Sequence, residues 1–276
     1  MCHPEVPAGT PPPDVRTEEV AIDVGAGEKM PALLALPERT PAPAVLVVND
    51  VFGRSEFYER LTRRLAQAGF VGLDPEFFFR EGALPEPTRE AAMARRPKLD
   101  EARTLVDLGA AIDRLRARTD VNGKIGTIGF CMGGTFVLGL AAGRADVAAS
   151  VTYYGFPASS AKGRPAPLEV ADRMRGPILG HWGDQDTGVG MDNVEELRAK
   201  LLARGVDHEL HVYPGLGHGF LKASLDAEGS PGHAQACASW TRTLEFYRAA
   251  FGMVPAAVSG PTGRRPAAPP AGPARR

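Results

Sequence analysis

The chain has 276 residues, 43% of them hydrophobic, enough for a sizeable core in one α/β sheet domain. Its 32 basic and 33 acidic residues leave a formal charge of −1, so nothing calls for a nucleic-acid or anionic-membrane partner. The three scattered cysteines, Cys2, Cys131 and Cys237, do not suggest a disulfide framework or a metal cluster, and they fit a reducing cytosol.

Residues 1–16 and 255–276 are rich in Pro, Ala and Gly. Such segments bury too little apolar surface to offset the entropy of ordering, so both are expected to be disordered tails around a folded domain at 17–254. The start, Met1 to Glu5, lacks the basic and apolar regions of a signal peptide. No run approaches the ~18 apolar residues of a spanning helix. The expected location is the cytoplasm.

Glu19 to Val24 alternates polar and apolar, Gly25-Ala26-Gly27 turns the chain, and Met30 to Leu36 runs back, as in an antiparallel pair. Ala44 to Asn49 is then a continuous apolar run, the mark of a strand buried on both faces. Tyr58, Leu61, Leu65 and Ala68 follow at helical spacing, and Phe70 to Asp74 reads as the next strand. Leu105, Leu108, Ile112 and Leu115 mark a helix, and Lys124 to Phe130 a strand. A helix of small residues is expected over about 132–143. Strands follow at Val147 to Tyr154, Pro177 to Trp182 and Glu209 to Tyr213. Helices lie between and after them, marked by Val194, Leu197 and Leu201 and by Trp240, Leu244, Tyr247 and Phe251. Strand and helix alternate from 44 to 251, which implies a mostly parallel sheet with helices on both faces and an antiparallel N-terminal edge. Chemistry in such sheets gathers at the carboxyl ends of strands.

Three residues stand there: Cys131 after the strand ending at Phe130, Asp186 after the strand ending near Trp182, and His218 after the strand ending near Tyr213. Nucleophile, acid, histidine is the chain order of α/β-hydrolases. Gly129-Phe130-Cys131-Met132-Gly133 has the G-x-nucleophile-x-G form, which a strained strand-to-helix turn requires on steric grounds. The helix that starts there aims amides and a positive dipole end at the thiol. The amide of Met132 forms half of an expected oxyanion hole, and that of Val51, in the loop after Asn49, the other half. His218 lies between Gly217 and Gly219, and Asp186 is chosen over Asp184 to orient it. His181 reads as structural and His208 and His211 as surface residues. No histidine pair has metal-ligand spacing with a matching acid, so no metal is expected.

The sequence resembles the dienelactone hydrolase (carboxymethylenebutenolidase) family of α/β-hydrolases. The resemblance rests on Gly129 to Gly134, Val48-Asn49-Asp50-Val51-Phe52-Gly53, Tyr153-Tyr154-Gly155 and Gly217-His218-Gly219-Phe220. It implies a Cys-His-Asp triad, here Cys131, His218 and Asp186, and hydrolysis of a lactone through an acyl-enzyme without a cofactor. It also implies a thiol-activating carboxylate, at a position where family members carry Glu and this chain carries Asp50, one methylene shorter. Two arginines of the family hold the carboxylate of the lactone. Arg80 matches the first, and Lys222, which keeps the charge without the bidentate fork, the second.

The expected protein is thus a carboxylic ester hydrolase, a monomer or weak homodimer that acts on a small lactone or ester and engages neither nucleic acid nor membrane. One alternative is a broad carboxylesterase or thioesterase of the same fold. Another is a non-hydrolytic sensor with Cys131 as an oxidisable thiol, though a sensor needs neither the acid nor the histidine.

Overall fold

The computed structural model describes residues 13–253. Most of both expected tails lies outside them, and the first strand starts at Arg16, one residue before the expected start of the domain. Strands β1 (Arg16–Asp23) and β2 (Lys29–Leu36) form the antiparallel pair, with Val20 opposite Ala32. The hairpin joins the sheet because β2 pairs antiparallel with β4 (Val71–Pro75). From there the sheet is parallel through β3 (Ala42–Val48), β5 (Val121–Phe130), β6 (Ala149–Tyr153), β7 (Ile178–Gly183) and β8 (His208–Tyr213). The spatial order is β1-β2-β4-β3-β5-β6-β7-β8. Every residue of β3 is buried, as its unbroken apolar run requires.

The helices are α1 (Glu56–Gln67), α2 (Arg89–Arg95), α3 (Glu101–Arg116), α4 (Met132–Gly143), α5 (Met191–Ala203) and α6 (His233–Ala250). Alternation along β5 separates the layers. On one face, Phe130 meets Tyr58 of α1, and a Cβ on Gly126 would strike Tyr247 and Phe251 beside α6. On the other, Gly129 lies against Gly133 and Val137 of α4. Helix α4 is apolar nearly all round because it packs on β5, β6 and β3 and also against α3. The short helix α2 went unmarked in the sequence, since seven residues rich in Ala and Arg carry little periodic signal. Among the described residues, no helix is long and apolar enough to cross a membrane.

Directly beneath the carboxyl ends of the strands lies a buried polar chain. His181 of β7 is fully buried, with Nδ1 3.0 Å from the Tyr213 hydroxyl and Nε2 3.2 Å from Thr243 Oγ1. Thr243 donates to the Ser239 carbonyl, so its oxygen accepts from His181 Nε2. Arg242 donates to the Tyr213 oxygen, whose own proton therefore goes to His181 Nδ1. This assignment makes the ring neutral. Burial first, and then the neighbouring His211 and Arg242, hold its pKa well below the ordinary histidine value. The unfolded chain therefore takes up a proton before the folded one does. Stability is expected to be full above pH ~6.5 and to decline as pH falls below it. Urea midpoints at about pH 7.5 and about pH 5.5 check this, and His181→Gln should flatten part of the slope.

Candidate active site

The strand β5 ends at Phe130, and α4 begins at Met132, so Cys131 must reverse the chain alone. Its φ is 56° and ψ −118°, a conformation that side chains other than glycine rarely hold. The turn persists because its surroundings fix it. The Cys131 amide donates to the Tyr153 carbonyl at 3.0 Å, and its carbonyl accepts from Thr135 at 3.2 Å. A Cβ on Gly133 would lie 2.1 Å from the Val48 carbonyl oxygen, and one on Gly129 2.2 Å from that of Gly133. The glycines of the motif are thus places where strand and helix backbones touch.

His218 follows β8 and precedes a 3₁₀ turn at Phe220–Leu225. Its Nδ1 lies 2.7 Å from Asp186 Oδ2, and Asp186 is 4% exposed. The other carboxylate oxygen of Asp186 accepts from the Val189 amide at 3.2 Å. The carboxylate is therefore fixed from both sides, and it fixes the imidazole. Tyr154 meets that ring edge-on at 4.9 Å, and Phe156 lies over it at 5.3 Å. Asp184 does a different job: its Oδ1 accepts from the Gly215 amide at 2.7 Å and so ties the acid loop to the histidine loop. The amides of Asp184 and Gln185 add two more ties, to the carbonyls of Tyr213 and Leu216.

Cys131, Asp186 and His218 all line one cavity of about 400 Å³, together with Val51 and Met132. The amides of Val51 and Met132 have no backbone acceptor among the described residues. Both stand at the mouth of the elbow, Met132 as the first residue of α4. A thiol, an imidazole held by a carboxylate and two available amides can together perform acyl transfer.

A model of the dienelactone hydrolase family matches residues 30–251, from the second residue of β2 to just past α6. The chain belongs to the dienelactone hydrolase family. Among its relatives, the carboxymethylenebutenolidase of Rhodococcus opacus is 33% identical over 255 residues, covering 90% of this chain and 96% of that protein. A candidate carboxymethylenebutenolidase of Escherichia coli is 32% identical over 252 residues, covering 85% of this chain and 90% of that protein. A crystal structure described as a candidate dienelactone hydrolase from Klebsiella pneumoniae superposes with a TM-score of 0.75 at 28% identity, covering 84% of this chain and 98% of that one. This chain is accordingly a dienelactone hydrolase-like hydrolase.

The remaining expected residues are not among those that line the cavity. Asp50 is fully buried, and its Oδ1 accepts from the Phe52 amide at 2.8 Å. Arg80, expected to hold a substrate carboxylate, does not line the cavity. Its guanidinium lies between Asp107 and Glu28, with Nη2 2.9 Å from Glu28 and 3.2 Å from Asp107. Asp107 is 1% exposed and a buried carboxylate needs a counter-charge, so Arg80 is committed to it. Lys222 sits half-buried in the 3₁₀ turn after His218 and is also absent from the cavity lining.

The cations that do line the cavity are Arg89, Arg96 and Arg164. Arg164 is bound up: it donates to Glu101 at 2.7 Å and to the carbonyls of Ser159 and Pro165 at 2.9 and 3.2 Å. Arg89, Met93 and Arg96 stand at i, i+4 and i+7 on one face of α2 and its continuation. That spacing, after the N-cap Thr88, is a signal in the sequence that the expectations above leave unused. Glu101 and Arg164 are 63 residues apart, and no local pattern could pair them.

Proposed function

We propose that this protein hydrolyses small lactones or carboxylic esters by acyl transfer to Cys131. The observation that carries the reading is the assembly of the Cys131 elbow, the His218–Asp186 pair and the amides of Val51 and Met132 around one cavity. The thiolate attacks the carbonyl carbon, and the oxyanion forms between the two amides. His218 gives a proton to the leaving oxygen, then takes one from the water that releases the acyl group. Asp186 keeps Nδ1 of His218 protonated, so that Nε2 faces the reaction. Asp50 is offered, in line with the carboxylate of the family, as the group that first takes the thiol proton and passes it to His218 Nε2, from which it reaches the leaving oxygen. Rapid-quench mass spectrometry with a chromogenic short-chain ester tests the proposal. An acyl mass is expected on the peptide containing Cys131, and steady turnover with no adduct at any time point would sink it.

The positive charge that Arg89 and Arg96 bring to the cavity favours a substrate with an anionic group, with Arg96 40% exposed and only 3.9 Å from Glu101 in a long ion pair. Arg80, in contrast, serves the fold. Arg96→Gln is therefore expected to lower kcat/KM for a carboxylate-bearing ester about tenfold relative to a neutral ester of equal length. Arg80→Gln leaves a buried carboxylate uncompensated, and should lower Tm by about 5 °C while leaving that preference intact. The reverse pattern would return the anion-binding role to Arg80.

A further inference from the structure

We infer that Arg95 is a positioning residue that holds the loop 50–54, and with it the Val51 amide, in place for the oxyanion. This deepens the acyl-transfer reading and rests on it.

Arg95 closes α2 on the face opposite Arg89, Met93 and Arg96. It is 7% exposed. No ion pair with it is formed among the described residues, and its Nε has no hydrogen-bond partner there. Its remaining donors go to backbone carbonyls: Nη2 to Val51 at 3.2 Å and Nη1 to Gly82 at 2.9 Å. Its plane lies 3.9 Å over the Phe78 ring. Glu76, Glu81 and Asp50 act on its charge through space, but among the described residues none of them bonds to it. A leucine would fill the same space and lose the pair of bonds that fix two loops.

The other residues of the oxyanion loop are held separately. Asn49 Nδ2 donates to Asp74 at 3.0 Å and to the Pro75 carbonyl at 3.1 Å. The Phe52 amide is taken by Asp50, and the Arg54 amide by Glu76 at 3.0 Å. Gly53 has φ 77°, and a Cβ there would lie 2.8 Å from Glu76 Oε1 and 3.1 Å from Arg95 Nη2. The loop therefore rests directly on Glu76 and Arg95. Arg95 is the side chain that grips Val51 itself. Holding the Val51 carbonyl sets ψ at that residue, while Asn49 and Asp50 anchor the chain before it. The peptide plane that carries the Val51 N–H is held at its own carbonyl, that of Asp50, by the Gly53 amide at 3.0 Å, and the next plane is held by Arg95. One face of α2 meets the substrate cavity and the other clamps the loop that answers to it.

The test uses the full chain and a chromogenic ester, with Arg95→Met and Arg95→Lys. Arg95→Met should lower kcat about 50-fold with KM within about threefold, because a displaced donor is lost mainly in the transition state. Alkylation of Cys131 by iodoacetamide should stay within about twofold, since displacement at that carbon develops no oxyanion. Arg95→Lys keeps one donor for Val51 and should recover part of kcat. Should Arg95→Met fail to fold, an intermediate kcat with normal alkylation in Arg95→Lys supports the proposal in its place, and a parental kcat in Arg95→Lys overturns it. A kcat unchanged in Arg95→Met, or kcat and alkylation that fall together, also overturns it. Wild-type protein without ester turnover overturns the acyl-transfer reading itself, and this inference with it.

Discussion

Cys131→Ala is expected to lower kcat/KM for any ester the protein cleaves by at least about 10³-fold, with the fold intact. The size of the loss follows from the order of events. On the proposed mechanism no acyl-enzyme forms without sulfur, and only the two amides and the cavity remain to assist direct attack by water. The stability effect should be small. Cys131 is 7% exposed, and Ala removes one sulfur from a turn that is held by backbone bonds on both sides. A shift in Tm of a few degrees is expected, roughly what 1 kcal/mol gives in a domain of this size. Circular dichroism and initial rates on the same preparation separate the two effects. Ester hydrolysis retained in the variant would remove Cys131 from the chemistry. A wild type that is inert toward all esters, yet oxidises readily at Cys131, would instead favour a thiol sensor.

The parts of this molecule that were legible in the sequence share one property: their signal is local. The buried run at β3 and the alternation at β1 are each set by neighbours a few residues apart. The elbow was legible for the same reason, since Gly129, Cys131 and Gly133 sit within five residues and serve one backbone contact. Asp186 and His218 could be named because strand ends place them, and their 2.7 Å contact joins residues 32 apart. The placing of the arginines was not legible in this way. Whether Arg80 reaches the cavity depends on Asp107 and Glu28, at sequence separations of 27 and 52. Nothing near Arg80 in the chain announces a buried carboxylate on α3. Arg164 is likewise occupied by Glu101, and Arg95 reads in the sequence as one surface arginine among several. Charged side chains have long reach and several options, so their partners are fixed only when the tertiary structure exists.

Gly133→Ala should be among the most damaging single-methyl changes in the molecule, at about 3–4 kcal/mol of stability. The added carbon would stand 2.1 Å from the Val48 oxygen and 2.2 Å from the Asn49 oxygen, and both are backbone. Neither side can yield easily. Val48 pairs with β5 in the middle of the sheet, and α4 is anchored through the Cys131 carbonyl and its packing on three strands. Separation by even ~1 Å would move the Met132 amide away from the loop that begins at Asn49. Any fraction that still folds should therefore lose at least about 10² in kcat as well. Gly143→Ala is the matched control. It lies at the last residue of the same helix, and a Cβ there meets nothing within 4 Å. It should be neutral, or stabilising by up to about 1 kcal/mol through the entropy of the unfolded chain. If both variants melt within about 2 °C of the parent and turn over normally, backbone contact at the elbow does not set the distance between the two oxyanion amides. If only Gly133→Ala collapses, the glycine is there for the reason that the G-x-C-x-G pattern implies: Cys131 can stand in its strained turn only where helix and strand come within touching distance.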